Sequence, residues 1–318
     1  EDGELDGLLA GETWIGDGPP VTVRADDGAR QVIEGIGKRG TLGGWLAAID
    51  AGAESPSVWL AVYASIASAL LVPLEVPQNY VLDWSGETSR GKTTVLRVGA
   101  SVWGIPSEAG LLQSWSLTAA RAEGVAGLLS CLPLCLDDTK QARTRDQVSS
   151  LLYSHAYGQG RGRARPDGLR VSATWRSILL STGEQPATSY SRDAGARART
   201  ISLVGPPLDT AVAAEALTLG VLDHHGHVGP LTVREYLDHP EHYRERYRLL
   251  RTYYADRLVK AGPVARRLSW FLALLHVARE LLEVVTETSI PALCDDPLHY
   301  AVEAVTATAL DADQPASA

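Results

Sequence analysis

Apolar and polar positions along this chain fall into two regimes. Up to about residue 207, short apolar blocks alternate with longer amphipathic segments. Tyr80–Trp84, Leu132–Leu136, Ser177–Leu180 and Arg199–Val204 have the length and turn-bounded character of buried strands. Trp45–Asp50, Ser57–Leu71, Val95–Trp103 and Asp146–His155 read as helices between or before them. Beyond Pro207 only helical spacing remains, at Asp209–Leu217, Val233–Leu237, His242–Lys260 and Pro263–Val285. Strands alternating with helices, followed by helices alone, predict an α/β fold class. The expected form is a three-layer αβα core around a parallel sheet, flanked by a C-terminal helical subdomain. The expected boundaries are 1–40 for peripheral strands and linker, with a strand at Val21–Val23, then 41–207 for the core and 208–318 for the helices. The tail from Leu310 is expected to fray.

Composition narrows the class. Ser57–Leu74 carries no charge and has the length of a membrane span, but its serines, the closing Pro73 and the lack of basic flanks predict a buried helix. The chain is therefore expected to be non-membrane. Cys131, Cys135 and Cys294 form no framework of pairs, which fits a reducing cytoplasm. The absence of methionine suggests an excerpt of a longer protein. Net charge is −9, yet Lys140–Thr200 holds eleven Lys/Arg against four Asp/Glu; that segment is +7 and the remainder −16. A basic segment in an acidic chain points to a directed contact with phosphate.

The chemistry concentrates after the strand at Tyr80–Trp84. The run Gly86-Glu87-Thr88-Ser89-Arg90-Gly91-Lys92-Thr93-Thr94 is a complete G-x-x-x-x-G-K-T loop leading into a helix. Glycines 86 and 91 let the backbone curl, so that amides of the loop (Thr88, Ser89, Thr94) and the helix N-terminus face phosphate groups. Lys92 would reach the β- and γ-phosphates, and the Thr93 hydroxyl would join a Mg2+ shell. A nucleoside triphosphate, ATP with Mg2+, is the expected ligand.

Asp137 ends the next apolar strand, where a P-loop enzyme places its metal-shell carboxylate, and Asp138 beside it can polarise water; the competing reading is a helix cap. Ser181-Thr182, ending the third strand, would sense the γ-phosphate, with Glu184 capping a turn or coupling to a neighbour. Arg163, Arg165, Arg170, Arg176, Arg192, Arg197 and Arg199 are candidates for a trans-acting finger or for nucleic-acid contact. Arg161, Arg163 and Arg165 lie in a Gly/Arg run suited to a mobile hairpin. His224, His225, His227, His239 and His242 match no zinc spacing and are expected to form polar turns.

These motifs carry a resemblance. The loop with Ala100-Ser101-Val102-Trp103-Gly104, Trp115-Ser116-Leu117-Thr118, Leu132 to Asp138, and Trp175-Arg176 with Leu180 to Glu184 are similar to the domain of unknown function 927 family. The similarity runs from about Gly43 to Leu203. That family comprises helicase-like ATPases of phages and mobile genetic elements. The resemblance implies an AAA+ core related to superfamily 3, a hexameric ring, and ATP-driven movement on DNA during replication. By position, Lys92 and Thr93 would bind phosphate and Mg2+, Asp137 would hold the metal, Asp138 would act as base, and Ser181 or Thr182 would be the sensor. Arg199 matches a recurrent family arginine and is the first choice for the finger; the segment from Gly158 to Trp175 sits where ring helicases carry a pore hairpin. One departure stands out: the family's Asp-Glu is here Asp-Asp, one methylene shorter at 138, so hydrolysis could be weak or conditional. The alternatives are an initiator, loader or remodelling ATPase without unwinding, a small-molecule kinase, and a nucleotide-gated scaffold.

Overall fold

The computed structural model describes residues 6–17, 27–160, 163–165, 168–170, 172–191, 193–289 and 296–313. The expected strand at Val21–Val23, Arg161, Arg192 and Cys294 lie outside these residues.

The chain opens with an antiparallel hairpin, β1 (Gly7–Ala10) and β2 (Thr13–Gly16), then three helices: α1 (Asp27–Glu34), α2 (Leu42–Asp50) and α3 (Pro56–Leu70). Strand β3 (Tyr80–Ser85) leads through the glycine loop into α4 (Lys92–Ser101). There follow β4 (Leu112–Ser114), α5 (Ala119–Leu129), β5 (Leu134–Asp137) and α6 (Arg145–Tyr157). A small hairpin, β6 (Arg163–Arg165) and β7 (Gly168–Arg170), precedes β8 (Ile178–Gly183), α7 (Ala194–Arg197) and β9 (Thr200–Val204). Beyond β9 the elements among the described residues are helices: α8 (Ala211–Asp223), α9 (Val228–Asp238), α10 (Pro240–Arg257), α11 (Gly262–Thr286) and α12 (Pro297–Asp313).

Five strands form one sheet in the order β4-β5-β8-β3-β9, and every neighbouring pair is parallel. The α/β class with a parallel sheet is therefore as the pattern predicted. Strand β8 lies between β3 and β5, so its C-terminal end sits beside both the glycine loop and Asp137. Helix-connected parallel strands deliver all their C-terminal ends to one edge, where ligands of such sheets are bound.

Helix α3 explains the uncharged run in the sequence. Every residue from Ser57 to Leu70 is buried, between the sheet, α4 and α11. A helix apolar all round is stable only when covered all round. Its serines are consumed internally: Ser65 Oγ donates to Gly99 O (2.7 Å), and Ser68 Oγ donates to Cys131 O (2.7 Å) while accepting Ile178 N–H (2.9 Å). No helix among the described residues is long and apolar enough to cross a membrane.

Tryptophan substitutes for phenylalanine in this core, and its N–H needs a partner when buried. Trp45 donates to Ser101 Oγ (2.9 Å), Trp59 to Ala53 O (2.7 Å), and Trp103 to Ser65 O (3.1 Å). The single phenylalanine, Phe271 of α11, stacks on Tyr80 of β3 at 4.5 Å and 7°. The C-terminal helices thus press directly against the sheet's first central strand.

Several elements differ from the sequence expectations. β5 starts at Leu134, after Pro133, which has no N–H for a ladder. Helix α9 begins five residues before the expected Val233, at Val228. Helices α1, α5 and α12 and strand β4 were not expected. α5 carries two internal glycines, at 124 and 127, and weak amphipathicity, and β4 has only three residues. Helix α12 continues to Asp313, beyond the expected start of fraying at Leu310.

Candidate functional site

The loop between β3 and α4 is shaped by three left-handed residues: Gly86 (φ 144°), Ser89 (φ 60°) and Gly91 (φ 86°). Gly91 is demanded twice over. Its φ disfavours a side chain, and a Cβ there would stand 2.7 Å from Leu208 Cδ1. As the N-cap of α4 it offers no side-chain acceptor, so the first amides of the helix keep their donors for another partner. The Lys92 ammonium folds back over the loop, donating to Gly86 O (2.9 Å) and Glu87 O (2.5 Å).

Where the start of α4 meets the ends of β5 and β8, the side chains of Thr93, Asp137 and Thr182 converge. Thr93 Oγ1 donates to the Asp137 carboxylate, 3.0 Å from Oδ1 and 3.2 Å from Oδ2. Thr182 Oγ1 donates to Asp137 Oδ1 (2.6 Å) and accepts the Asp138 N–H (2.8 Å). Asp138 has φ 56°, and its Oδ1 accepts the N–H of Lys140 (3.1 Å), capping the 3-10 turn Thr139–Gln141. Lys140 in turn pairs with Glu184 at 3.0 Å, and this contact holds the lysine's pKa above its ordinary value.

A cavity of about 340 Å³ gathers these groups: Thr88, Ser89, Gly91, Lys92, Thr93, Thr94, Asp137, Asp138, Thr182 and Glu184 line it, with Gln141 and with Ala211 and Ala214 of α8. Its volume is that of a small-molecule site. The Thr93 hydroxyl and Asp137 carboxylate are hard oxygen donors, suited to Mg2+, which takes one or two protein ligands and completes its shell from phosphate and water. Among the described residues no group of three or more His, Cys, Asp or Glu side chains could hold a metal ion.

Other expected residues lie elsewhere. Ser181, one residue from Thr182, points to the other face of β8, where it is buried and accepts Trp115 Nε1–H (3.2 Å). Arg199 precedes β9, whose first residue pairs with Val81 at the start of β3, so it stands at the sheet edge opposite the loop. Its guanidinium donates to Gln78 Oε1 (3.1 Å) and Gly195 O (2.8 Å) and lies 5.4 Å from the Tyr157 ring. Arg163 and Arg165 fall in strand β6, paired with Arg170 and Gly168 of β7, so the Gly/Arg run does make a hairpin. The histidines are polar ties: His224 Nδ1 accepts Thr41 N–H (3.1 Å), while His225 Nδ1 and His227 Nε2 meet the carbonyls of Val221 (3.2 Å) and Arg39 (3.0 Å).

One ionisable group near the loop escaped the sequence reading. Asp83 is fully buried in β3, opposite Ser181 on one side and Ser202 on the other, and its Oδ2 accepts Ala187 N–H (2.8 Å). Burial pushes its carboxyl up to about 7, against the lowering pull of the Ala187 amide, the two serine hydroxyls and Lys92. A lone acid inside the apolar run Tyr80–Trp84 was the available signal.

The parallel sheet carries a glycine-bounded loop, a lysine and a Thr–Asp pair at its C-terminal edge, which defines an α/β protein with its candidate site at that edge. The chain belongs to the family described as domain of unknown function DUF927, which matches residues 12–173. A solved structure, "SCCmec type IV Cch - active helicase", shares this fold with a TM-score of 0.66 and 21% identity. The match covers 81% of this chain and 50% of that one, so this chain spans about half of that protein's length. No curated protein matches it.

Proposed function

We propose that this chain is an ATP-hydrolysing motor domain that acts on DNA for a phage or other mobile element, working in the hexameric ring that the family resemblance implies. The observation that carries this reading is the convergence of Lys92, Thr93, Asp137 and Thr182 on one cavity beneath the glycine loop. The sheet order, with β8 inserted between the loop strand and the Asp137 strand, supports an AAA+-like P-loop class. The resemblance to a protein named as an active helicase supports DNA as the polymer.

In this reading the loop amides and the α4 N-terminus receive the phosphate tail, and the Lys92 ammonium exchanges the Gly86 and Glu87 carbonyls for phosphate oxygens. Thr93 and Asp137 would hold Mg2+, which when bound neutralises charge on the phosphates. Thr182 keeps the Asp137 carboxylate in one orientation and signals to β8 whether that carboxylate is engaged. Ala211 and Ala214 of α8 line the same cavity, so the helical region beyond residue 207 would feel nucleotide state directly. The β6–β7 hairpin, in the basic segment, is the proposed DNA contact, and Arg199 the proposed finger toward a neighbouring subunit.

The test is the ATPase rate with and without single-stranded DNA, paired with a mass measurement in ATP. Stimulation together with a six-fold mass supports the motor; a monomer indifferent to DNA overturns it. Strand displacement on a forked duplex separates a helicase from a loader. A nucleotide-gated scaffold with weak turnover is the second reading, favoured by the capping role of Asp138, and it would show tight ATP binding without turnover.

A further inference from the structure

We propose that Glu184, rather than Asp138, is the carboxylate that activates the attacking water, and that Lys140 holds it in reserve. This rests on the ATPase reading above and names the group that performs its chemical step.

The case against Asp138 is geometric. Its backbone is left-handed, at φ 56°, and one of its two carboxylate oxygens, Oδ1, is held by the Lys140 amide in the 3-10 turn, which fixes the carboxylate's orientation although the residue lines the cavity. Rotating the carboxylate to follow a substrate water would give up that cap, and the side chain is one methylene shorter than glutamate, so its reach is set by the turn.

The case for Glu184 is position and freedom. It lies two residues past Thr182, which is bonded to Asp137, just beyond the end of β8. Because β8 separates β3 from β5, that end stands between the phosphate loop and the metal-side carboxylate. Glu184 lines the same cavity as Lys92, Thr93 and Asp137, and its side chain is about one-third exposed. Its one side-chain hydrogen bond among those resolved is to Lys140, whose own side chain is 66% exposed. An exposed ion pair is weak and readily exchanged, so the carboxylate can leave it for a water.

In the step, the water oxygen bonds to the γ-phosphorus as the bond from that phosphorus to the bridging oxygen breaks. The electron pair leaves on the β-phosphate of ADP, and the water proton passes to the Glu184 carboxylate. Inorganic phosphate and ADP are the products, and the proton then returns to solvent.

The experiment measures kcat for ATP and the affinity for ATP with Mg2+ in the wild type and in Glu184→Gln, Asp138→Asn, Lys140→Ala and Lys92→Ala. Asparagine retains the capping oxygen at 138, so that variant removes charge and little else. Glu184→Gln should lower kcat by about 100-fold or more, the usual size of a general-base loss, with ATP affinity within about threefold. Asp138→Asn should lower kcat by less than about fivefold. Lys140→Ala should raise kcat by up to about fivefold, the limit set by an exposed pair. Should Glu184→Gln fail to fold, as judged by loss of its cooperative thermal unfolding, Glu184→Asp replaces it, with an expected kcat loss of about tenfold or more. A kcat for Glu184→Gln within about threefold of wild type, or a larger loss in Asp138→Asn, overturns the assignment. Loss of turnover in Lys92→Ala leaves the ATPase reading standing whichever carboxylate acts; unchanged turnover there overturns that reading and this one with it.

Discussion

Thr182 donates to Asp137 at 2.6 Å while its oxygen receives the Asp138 amide at 2.8 Å, so one hydroxyl ties the end of β8 to Asp137 of β5 and to Asp138 just past it. Replacing it by valine keeps the shape and removes both bonds. Thr182→Val is expected to destabilise the fold by about 1–3 kcal/mol, the cost of a buried amide left without a partner. It should also lower ATP turnover more than ATP affinity, because Asp137 loses its orientation. Chemical denaturation alongside steady-state kinetics checks both; unchanged kcat would remove Thr182 from the site.

Lys92 is only part-buried, and its present partners are loop carbonyls. Lys92→Ala should therefore fold with near wild-type stability and lose ATP hydrolysis by about 100-fold or more, the scale of removing a charged transition-state donor. Thermal unfolding with a phosphate-release assay distinguishes this from collapse of the loop.

Gly91→Ala tests the loop by sterics instead of charge. The new methyl meets Leu208 and forces a left-handed φ on alanine, so ATP binding should fall by at least about tenfold while the distant core is kept. Combining it with Leu208→Ala relieves only the clash. Partial recovery of binding in the double variant is the expected outcome, measured by fluorescent-nucleotide titration.

Two buried groups, Asp83 in β3 and His155 of α6 packed against Tyr80, oppose each other in pH. Asp83 goes from an ordinary 3.8 to about 7 on folding, so between about pH 4 and 7 only the folded state holds its proton and stability falls as pH rises. His155, buried with Nε2 against Tyr80 O at 3.3 Å, drops from 6.5 to about 4, because burial disfavours its charged form. There the unfolded state takes the proton, so stability falls as pH drops from 6.5 toward 4. Asp83→Asn removes the first effect and leaves the second. Its stability relative to wild type should improve by about 3 kcal/mol between pH 4.5 and pH 8. Urea unfolding at the two pH values checks this, and a constant difference would show that Asp83 stays ionised.

What could be read in advance was whatever is local. The loop at 86–94 and the strand-ending Asp137 carry their chemistry within a few residues, and the four longer strands announce themselves by apolar content. The Lys140–Glu184 pair could not be seen, because the partners are 44 residues apart and meet only through the adjacency of β5 and β8. Ser181 and Thr182 were equivalent as letters. The alternation of a strand sends one to the cavity and the other to Trp115, and that choice depends on register. The unexpected α5 and β4 owe their existence to packing against α6 and β5 more than to their own sequence.

Helix α3 has no side turned to water: sheet, α4 and α11 seal it. A fragment cut at residue 207 would lay bare that greasy cylinder and should precipitate or aggregate, whereas one that retains α11 and α12 should not. The trailing helices are thus less an appendage than a hull plate, and whatever displaces them must drag the sheet along.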